Sequence, residues 1–191
     1  MSRLTITPAD DATTTTLDTR DGAVITRELA ARGVRFERWT TGAALAPGAG
    51  QDAVLAAYAD DVARLKAAGP YPAVDVVRLA PDPADPAGYA AKAAVARAKF
   101  LEEHTHAEDE VRFFTEGAGL FYLRLGADLC MVLCEAGDLI SVPANTRHWF
   151  DMGTRPYFSA IRLFGTPDGW VATFTGDAIA RRFPSYDEHV A

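Results

Sequence analysis

Apolar and polar positions change their period part-way along this chain. In the first half the helical period dominates. Val24, Ile25 and Leu29 follow Asp21-Gly22 at helical spacing and stop at Gly33, a residue suited to the position just past a helix end. Val34-Arg35-Phe36-Glu37-Arg38-Trp39 reads as extended, and a loop runs from Gly42 to Gly50. From about Gln51 to Ala68, the residues Val54, Leu55, Tyr58, Val62 and Leu65 share one helical face until Gly69-Pro70 ends the run. Residues 73–79 form a short β-branched strand and 81–86 a turn-rich connector. Asp85 and Pro86 suit the N-cap and first turn of a third helix that continues to Phe100.

Beyond residue 103 the pattern turns to short strands at regular spacing: 111–114, 120–125, 129–133, 138–142, 148–152 and 158–164. Gly117-Ala118-Gly119, Gly126-Ala127-Asp128 and Glu135-Ala136-Gly137-Asp138 separate several of them. Serial short strands with turn signals indicate a sandwich or small barrel. The expected fold is therefore mainly β with N-terminal helices, in a single domain over 1–191. Residues 1–102 form a mixed strand and helix part that packs on a barrel core at 103–183.

Composition narrows the class. The chain has 191 residues, 49% hydrophobic and 24% charged, with a formal net charge of −7. That is ordinary globular composition, and its acidity and lack of any Lys/Arg block argue against nucleic acid or an anionic membrane as partner. No apolar leader follows Met1, and the longest nearly apolar run, Leu129 to Cys134, is far too short to span a bilayer. Cys130 and Cys134 lie in that run and read as two buried, reduced thiols on one strand face, which points to the cytoplasm. No apolar stripe demands a partner, so a monomer is expected.

The candidate chemistry lies in the histidines. Of the four, His189 sits near the C-terminus and is expected to be solvated, while His104, His106 and His148 fall in the β-rich half. His104 and His106, at i and i+2, share one face of a strand. A tight turn through Ala107-Glu108-Asp109 would return Glu110 to the same interior, and the strands between would bring His148 round. Three imidazoles and one carboxylate suit a borderline divalent metal such as Fe²⁺, Ni²⁺, Mn²⁺ or Zn²⁺. A lone H-x-H more often marks two exposed or core histidines, and a lone Glu a surface acid. The full spacing carries the argument: His104-Thr-His106-Ala-Glu-Asp-Glu110 runs on to Gly117, and later come Gly137, Pro143 and His148.

This two-part spacing resembles the signature motifs of the cupin superfamily, whose small β-barrels hold a metal with three His and one Glu. Asn145 stands where that pattern usually has Gly, at a slot that needs only tolerance of a left-handed turn. Three segments narrow the resemblance: Val34 to Trp39, Glu103-His-Thr-His-Ala-Glu-Asp-Glu-Val-Arg-Phe113, and Val142-Pro-Ala-Asn-Thr-Arg-His-Trp-Phe-Asp151. They look like the acireductone dioxygenases of methionine salvage, over a span from near residue 3 to about Phe183. The resemblance implies a cupin-type barrel (a double-stranded β-helix, or jelly roll) with one Fe²⁺ or Ni²⁺ on His104, His106, Glu110 and His148. It also implies O₂-dependent cleavage of 1,2-dihydroxy-3-keto-5-(methylthio)pentene. With Fe²⁺ the products are formate and 4-methylthio-2-oxobutanoate; with Ni²⁺ they are formate, CO and 3-(methylthio)propanoate.

Four protein ligands leave two positions of an octahedral ion for an ionised enediol, whose charge needs a partner in the interior. Arg112, two residues beyond Glu110, is the candidate for that role, since strand parity puts both on one face. Arg162 is a charge in an apolar strand and reads equally as a substrate partner or half of a salt bridge. Phe150 shares parity with His148. With Trp170 and Phe100 it forms the candidate apolar wall, since the resemblance places aromatics near the substrate; filling the core is the plainer role for each. Glu103 and Asp109 are candidates to accept the free N–H of a ligating imidazole. Two other readings fit the same ligand set, a cupin isomerase or epimerase that needs no O₂, and a non-catalytic small-ligand-binding cupin.

Overall fold

The computed structural model of the protein describes residues 1–41, 44–46, 48–166, 168–169 and 171–191. The chain runs β1 (Arg3–Pro8), β2 (Leu17–Thr19), α1 (Gly22–Ala30), β3 (Arg35–Arg38), α2 (Gln51–Ala57), α3 (Ala59–Ala68), β4 (Ala73–Leu79) and α4 (Pro86–Phe100). It continues through β5 (His104–Thr105), β6 (Glu110–Leu125), β7 (Asp128–Glu135), β8 (Asp138–Val142), β9 (Arg147–Asp151), β10 (Phe158–Phe164) and β11 (Thr173–Phe174). A 3₁₀ turn (Ile179–Arg182) and α5 (Tyr186–Val190) end it.

The strands make two antiparallel ladders that share β6. One has the order β11-β5-β9-β6-β7-β1-β2; in the other, β8 and β10 flank the first half of β6, with β3 and β4 outside them. The protein is therefore mostly β with an antiparallel sheet. Among the described residues the ladder does not close on itself, so the barrel expected from the sequence is not shown. Four strands from residues 1–102 are hydrogen-bonded into the ladders, β1 to β7, β2 to β1, β3 to β8 and β4 to β10. The first half is thus woven into the sheets as well as laid against them.

β6 is the pivot, and a local irregularity lets one strand serve both ladders. The register with β10 shifts between Ser159 and Ala160, so that Ser159 faces Glu116 while Ala160 faces Phe114 and Thr115 is left over. Gly117 follows at φ 60°, and a Cβ there would stand 1.8 Å from the Tyr157 carbonyl oxygen. The bulge reverses the parity of β6. Glu110 and Arg112 line the interior cavity along with Phe114, whereas beyond the bulge Phe121 and Leu123 face inward and Leu120 and Tyr122 outward.

Three apolar layers result. The inner one holds Leu4, Ile6, Phe114, Phe121, Val132, Ile140 and both cysteines. Outside one ladder, Tyr122, Met131 and Trp149 are covered by Ile179 and Phe183 of the C-terminal segment. Outside the other, Phe113, Leu139 and Ile161 are covered by Val54, Tyr58 and Leu65 of α2 and α3. β7 is buried on both faces along its middle, hence its unbroken apolar run.

The sequence reading needs four corrections. The helix expected over 51–68 breaks at Tyr58 (φ −117°, ψ 29°), whose ring packs edge-on against Phe113 at 5.7 Å. The strands expected at 111–114 and 120–125 are one continuous β6. β1, β2, β11 and α5 carry no readable signal because they are short or lack a clean period, and the strand at His104 ends at Thr105, before His106. His189, expected in solvent, is buried at 9% exposure on α5, and burial, with Arg3 nearby, lowers its pKa. Cys130 and Cys134 are buried free thiols, with burial raising Cys130 to about 12 and Cys134 well above its ordinary value. Among the described residues no helix is long and apolar enough to cross a membrane.

Candidate metal centre

β5, β6 and β9 converge on one buried cluster. His104 of β5 lies directly opposite His148 of β9, and β9 in turn pairs with β6, which begins at Glu110. His106 follows β5 immediately. The ring centroids are 5.1 Å apart for His104 and His106, 4.5 Å for His104 and His148, and 5.3 Å for His106 and His148. One ring nitrogen from each lies within 4.8 Å of the others. Glu110 Oε2 is 2.7 Å from His148 Nε2 and 3.8 Å from His106 Nε2.

The backbone sets the tautomers. His104 Nδ1 is 2.7 Å from the Glu102 carbonyl oxygen, His106 Nδ1 is 3.0 Å from that of Val171, and His148 Nδ1 is 2.8 Å from that of Thr146. A carbonyl only accepts, so each Nδ1 carries the proton and each Nε2 keeps a lone pair. His148 Nε2 and Glu110 Oε2 are buried without a hydrogen-bond partner. Two lone-pair atoms at 2.7 Å repel unless a cation or a proton joins them. Three imidazole nitrogens and a carboxylate oxygen are also the donor set a borderline divalent ion prefers, so these four residues fit a metal.

The electrostatics agree. Burial lowers His104 to about 4 and also lowers His106, so both rings are neutral at physiological pH. Burial pushes His148 down too, but the Glu110 carboxylate outweighs it and leaves His148 above its usual value. Burial would raise Glu110, yet the Arg112 guanidinium and His148 hold it well below the usual carboxylate range.

Arg112 forms an ion pair with Glu110, and its remaining terminal nitrogen, NH1, is buried without a partner. Burial lowers its pKa to about 10, still well above neutrality. Arg162 stands opposite Arg112 across the β6–β10 ladder and clasps Asp75 of β4, with Nε 2.6 Å from Oδ1. Its salt bridge is therefore real, and its guanidinium nevertheless borders the same cavity. That cavity has a polar side of His104, Glu110, His148, Arg112 and Arg162. Its apolar side includes Phe100, Phe150, Phe114, Phe121, Phe158 and Met152.

The sequence model of the ARD/ARD' family matches residues 56–172. An acireductone dioxygenase of Parvibaculum lavamentivorans is 54% identical over 187 residues, covering 98% of each chain. One of Prochlorococcus marinus (strain MIT 9313) is 52% identical over 188 residues, covering 96% of this chain and 98% of that protein. This chain belongs to the acireductone dioxygenase family. A solved acireductone dioxygenase from Bacillus anthracis, with a cadmium ion in its active centre, superposes with a TM-score of 0.72 at 27% identity, covering 91% of this chain and 98% of that one.

Within this acireductone dioxygenase fold, two candidates are placed differently from the expectation. Glu103 and Asp109 do not receive an imidazole N–H, because backbone carbonyls occupy all three Nδ1 positions. Glu103 instead accepts from Thr175 Oγ1 at 2.7 Å and from Arg124 at 3.3 Å, and Asp109 accepts from the Ala144 amide at 2.9 Å. Trp170 lies outside the described residues. Phe114, Phe121, Phe158 and Met152 line the cavity unforeseen. Counting by twos from Glu110 finds Phe114, and from His148 finds Met152; Phe121 is hidden by the parity reversal at the bulge.

Proposed function

We propose that the protein is an acireductone dioxygenase of cupin type that cleaves 1,2-dihydroxy-3-keto-5-(methylthio)pentene with O₂ in methionine salvage. His104, His106, Glu110 and His148 would hold one Fe²⁺ or Ni²⁺. The observation that carries this reading is the convergence of three imidazole lone pairs, their protons tied back to carbonyls, on a buried carboxylate without a hydrogen-bond partner on Oε2. With Fe²⁺ the products are formate and 4-methylthio-2-oxobutanoate, and with Ni²⁺ formate, CO and 3-(methylthio)propanoate; each set accounts for every atom of substrate and O₂.

The bound ion would act as Lewis acid and as template for the chelating enediolate. The rest is the work of this chain's side chains. The free Arg112 NH1 donates a hydrogen bond to an enediolate oxygen, and the pair with Glu110 keeps the guanidinium aimed. Arg162, fixed by Asp75, adds a second positive charge that favours the ionised substrate. Phe100 and Phe150, with Phe114, Phe121 and Phe158, surround the methylthio tail and keep water from the reacting carbons. We place the enzyme in the cytoplasm as a monomer, consistent with its two reduced, buried thiols.

Anaerobic mixing of the Ni²⁺- or Fe²⁺-loaded protein with the acireductone tests the reading. The enediol absorbance is expected to persist until O₂ is admitted and then to decay. Decay without O₂ indicates an isomerase, and persistence after O₂ a binding module; either result overturns the proposal.

A further inference from the structure

Two acids, Glu108 and Asp109, lie between His106 and Glu110 and accept hydrogen bonds from backbone amides rather than from the imidazoles. We propose that they are positioning residues for the metal centre, each fastening one loop whose backbone carbonyl fixes the tautomer of one ligating histidine. This inference rests on the metal centre described above.

The Glu108 carboxylate accepts from the amides of Gly165 at 2.8 Å and Thr166 at 3.0 Å, where the chain leaves β10. Gly169 lies close against this carboxylate, since a Cβ there would come within 2.5 Å of Glu108 Oε2. Gly169 donates back to Thr166, and Val171 to Asp168. It ends at Val171, whose carbonyl receives the His106 Nδ1 proton. Glu108 thus reaches the far side of His106 through one short loop.

Asp109 does the same for His148. It accepts from Ala144 in the turn between β8 and β9, where Asn145 takes φ 61° and donates its amide to the His106 carbonyl at 2.8 Å. One residue later, the Thr146 carbonyl receives the His148 Nδ1 proton. The consequence is chemical. If either carbonyl drifts away, the imidazole loses the partner that holds its proton on Nδ1, and the tautomer with the proton on Nε2 blocks ligation.

The test uses full-length metal-free protein, Glu108→Ala and Asp109→Ala, with Glu108→Gln and Asp109→Asn as variants that keep an acceptor oxygen. Ni²⁺ titration is expected to show Kd raised by about 10- to 100-fold in the alanine variants, with much of the loss restored in the amide variants. In imidazole ¹⁵N spectra of the metal-free proteins, the His106 Nδ1–H signal should broaden in Glu108→Ala, and that of His148 in Asp109→Ala. The His104 signal should stay in place in both, which a general loss of structure would not allow. Wild-type Ni²⁺ affinity and unmoved imidazole signals in the alanine variants, or loss of affinity with all three signals moved alike, overturn the inference. Failure of the wild-type protein to bind one Ni²⁺ per chain sinks the metal centre itself, a result separable from the first.

Discussion

Replacing Arg112 with Met separates the electrostatics of the empty and loaded centre. Glu110 is 5% exposed and draws its formal counter-charge from Arg112. Breaking a buried pair by removing one partner costs about 3–5 kcal/mol, and methionine refills much of the vacated stem volume. A proton shared with His148 cushions part of this, favouring the lower end. For a domain of this size 1 kcal/mol corresponds to about 2–4 °C, so the metal-free melting temperature should fall by about 6–20 °C. With Ni²⁺ bound, the ion takes over as counter-charge to Glu110 and the loss shrinks. The thermodynamic cycle then requires Ni²⁺ to bind the variant more tightly; for each 1.4 kcal/mol recovered, Kd drops about tenfold. Turnover should move the other way, by about 10²–10³, as for loss of an oxyanion donor. Calorimetry of both forms, Ni²⁺ titration and O₂ uptake measure the three quantities. A metal-free melting temperature unchanged to within about 2 °C, or weaker Ni²⁺ binding by the variant, refutes the reasoning.

Other outcomes follow from the same geometry. Glu110→Gln and His148→Ala should each lose stoichiometric Ni²⁺ and nearly all turnover, losses well beyond the roughly 10–100-fold typical of outer-shell changes; metal analysis checks this. Phe150 packs on Phe121 at 4.8 Å and Phe158 at 5.6 Å. Phe150→Ala should lower kcat/KM for the methylthio substrate by about 10-fold or more while sparing an acireductone without the tail, as steady-state kinetics on both would show. Asp151, 1% exposed, accepts from Arg97 at 2.7 and 2.9 Å and from the amides of Gly153 and Tyr186, joining α4, β9 and α5. Burial raises its pKa, but these donors outweigh that and hold it below the usual value. Its stabilisation is therefore present above the unfolded value near 3.9 and lost as pH falls through the folded value. Asp151→Asn should cost about 1.5–3 kcal/mol at pH 7, with the two stability curves converging in acid; a gap that persists at low pH contradicts the assignment.

How much of this was legible in the sequence differs from element to element. β4, β8, β10 and α4 follow from β-branched runs and from the Asp85-Pro86 start, because local propensity and tertiary role coincide there. The clustering of His104, His106, Glu110 and His148 is legible from spacing, since strand parity and one tight turn suffice to bring His104, His106 and Glu110 together. Parity likewise put Arg112 beside Glu110. β1 and β11 are not legible: β1 carries no clean alternation, being buried along most of its length, and β11 is only two residues long and exposed. Phe121 is hidden by the bulge, which no local signal at Thr115 announces. The roles of Glu103 and Asp109 were misjudged for a related reason: the groups that orient the imidazoles are main-chain carbonyls, and nothing in the side-chain alphabet records where a carbonyl points.

X-ray absorption at the nickel edge of the Ni²⁺-loaded wild-type protein bears most directly on the central claim. The account expects one Ni²⁺ per chain in a shell of nitrogen and oxygen only, with outer-shell scattering from three imidazole rings. A shell containing sulfur, or one with scattering from fewer than three imidazoles, would contradict it.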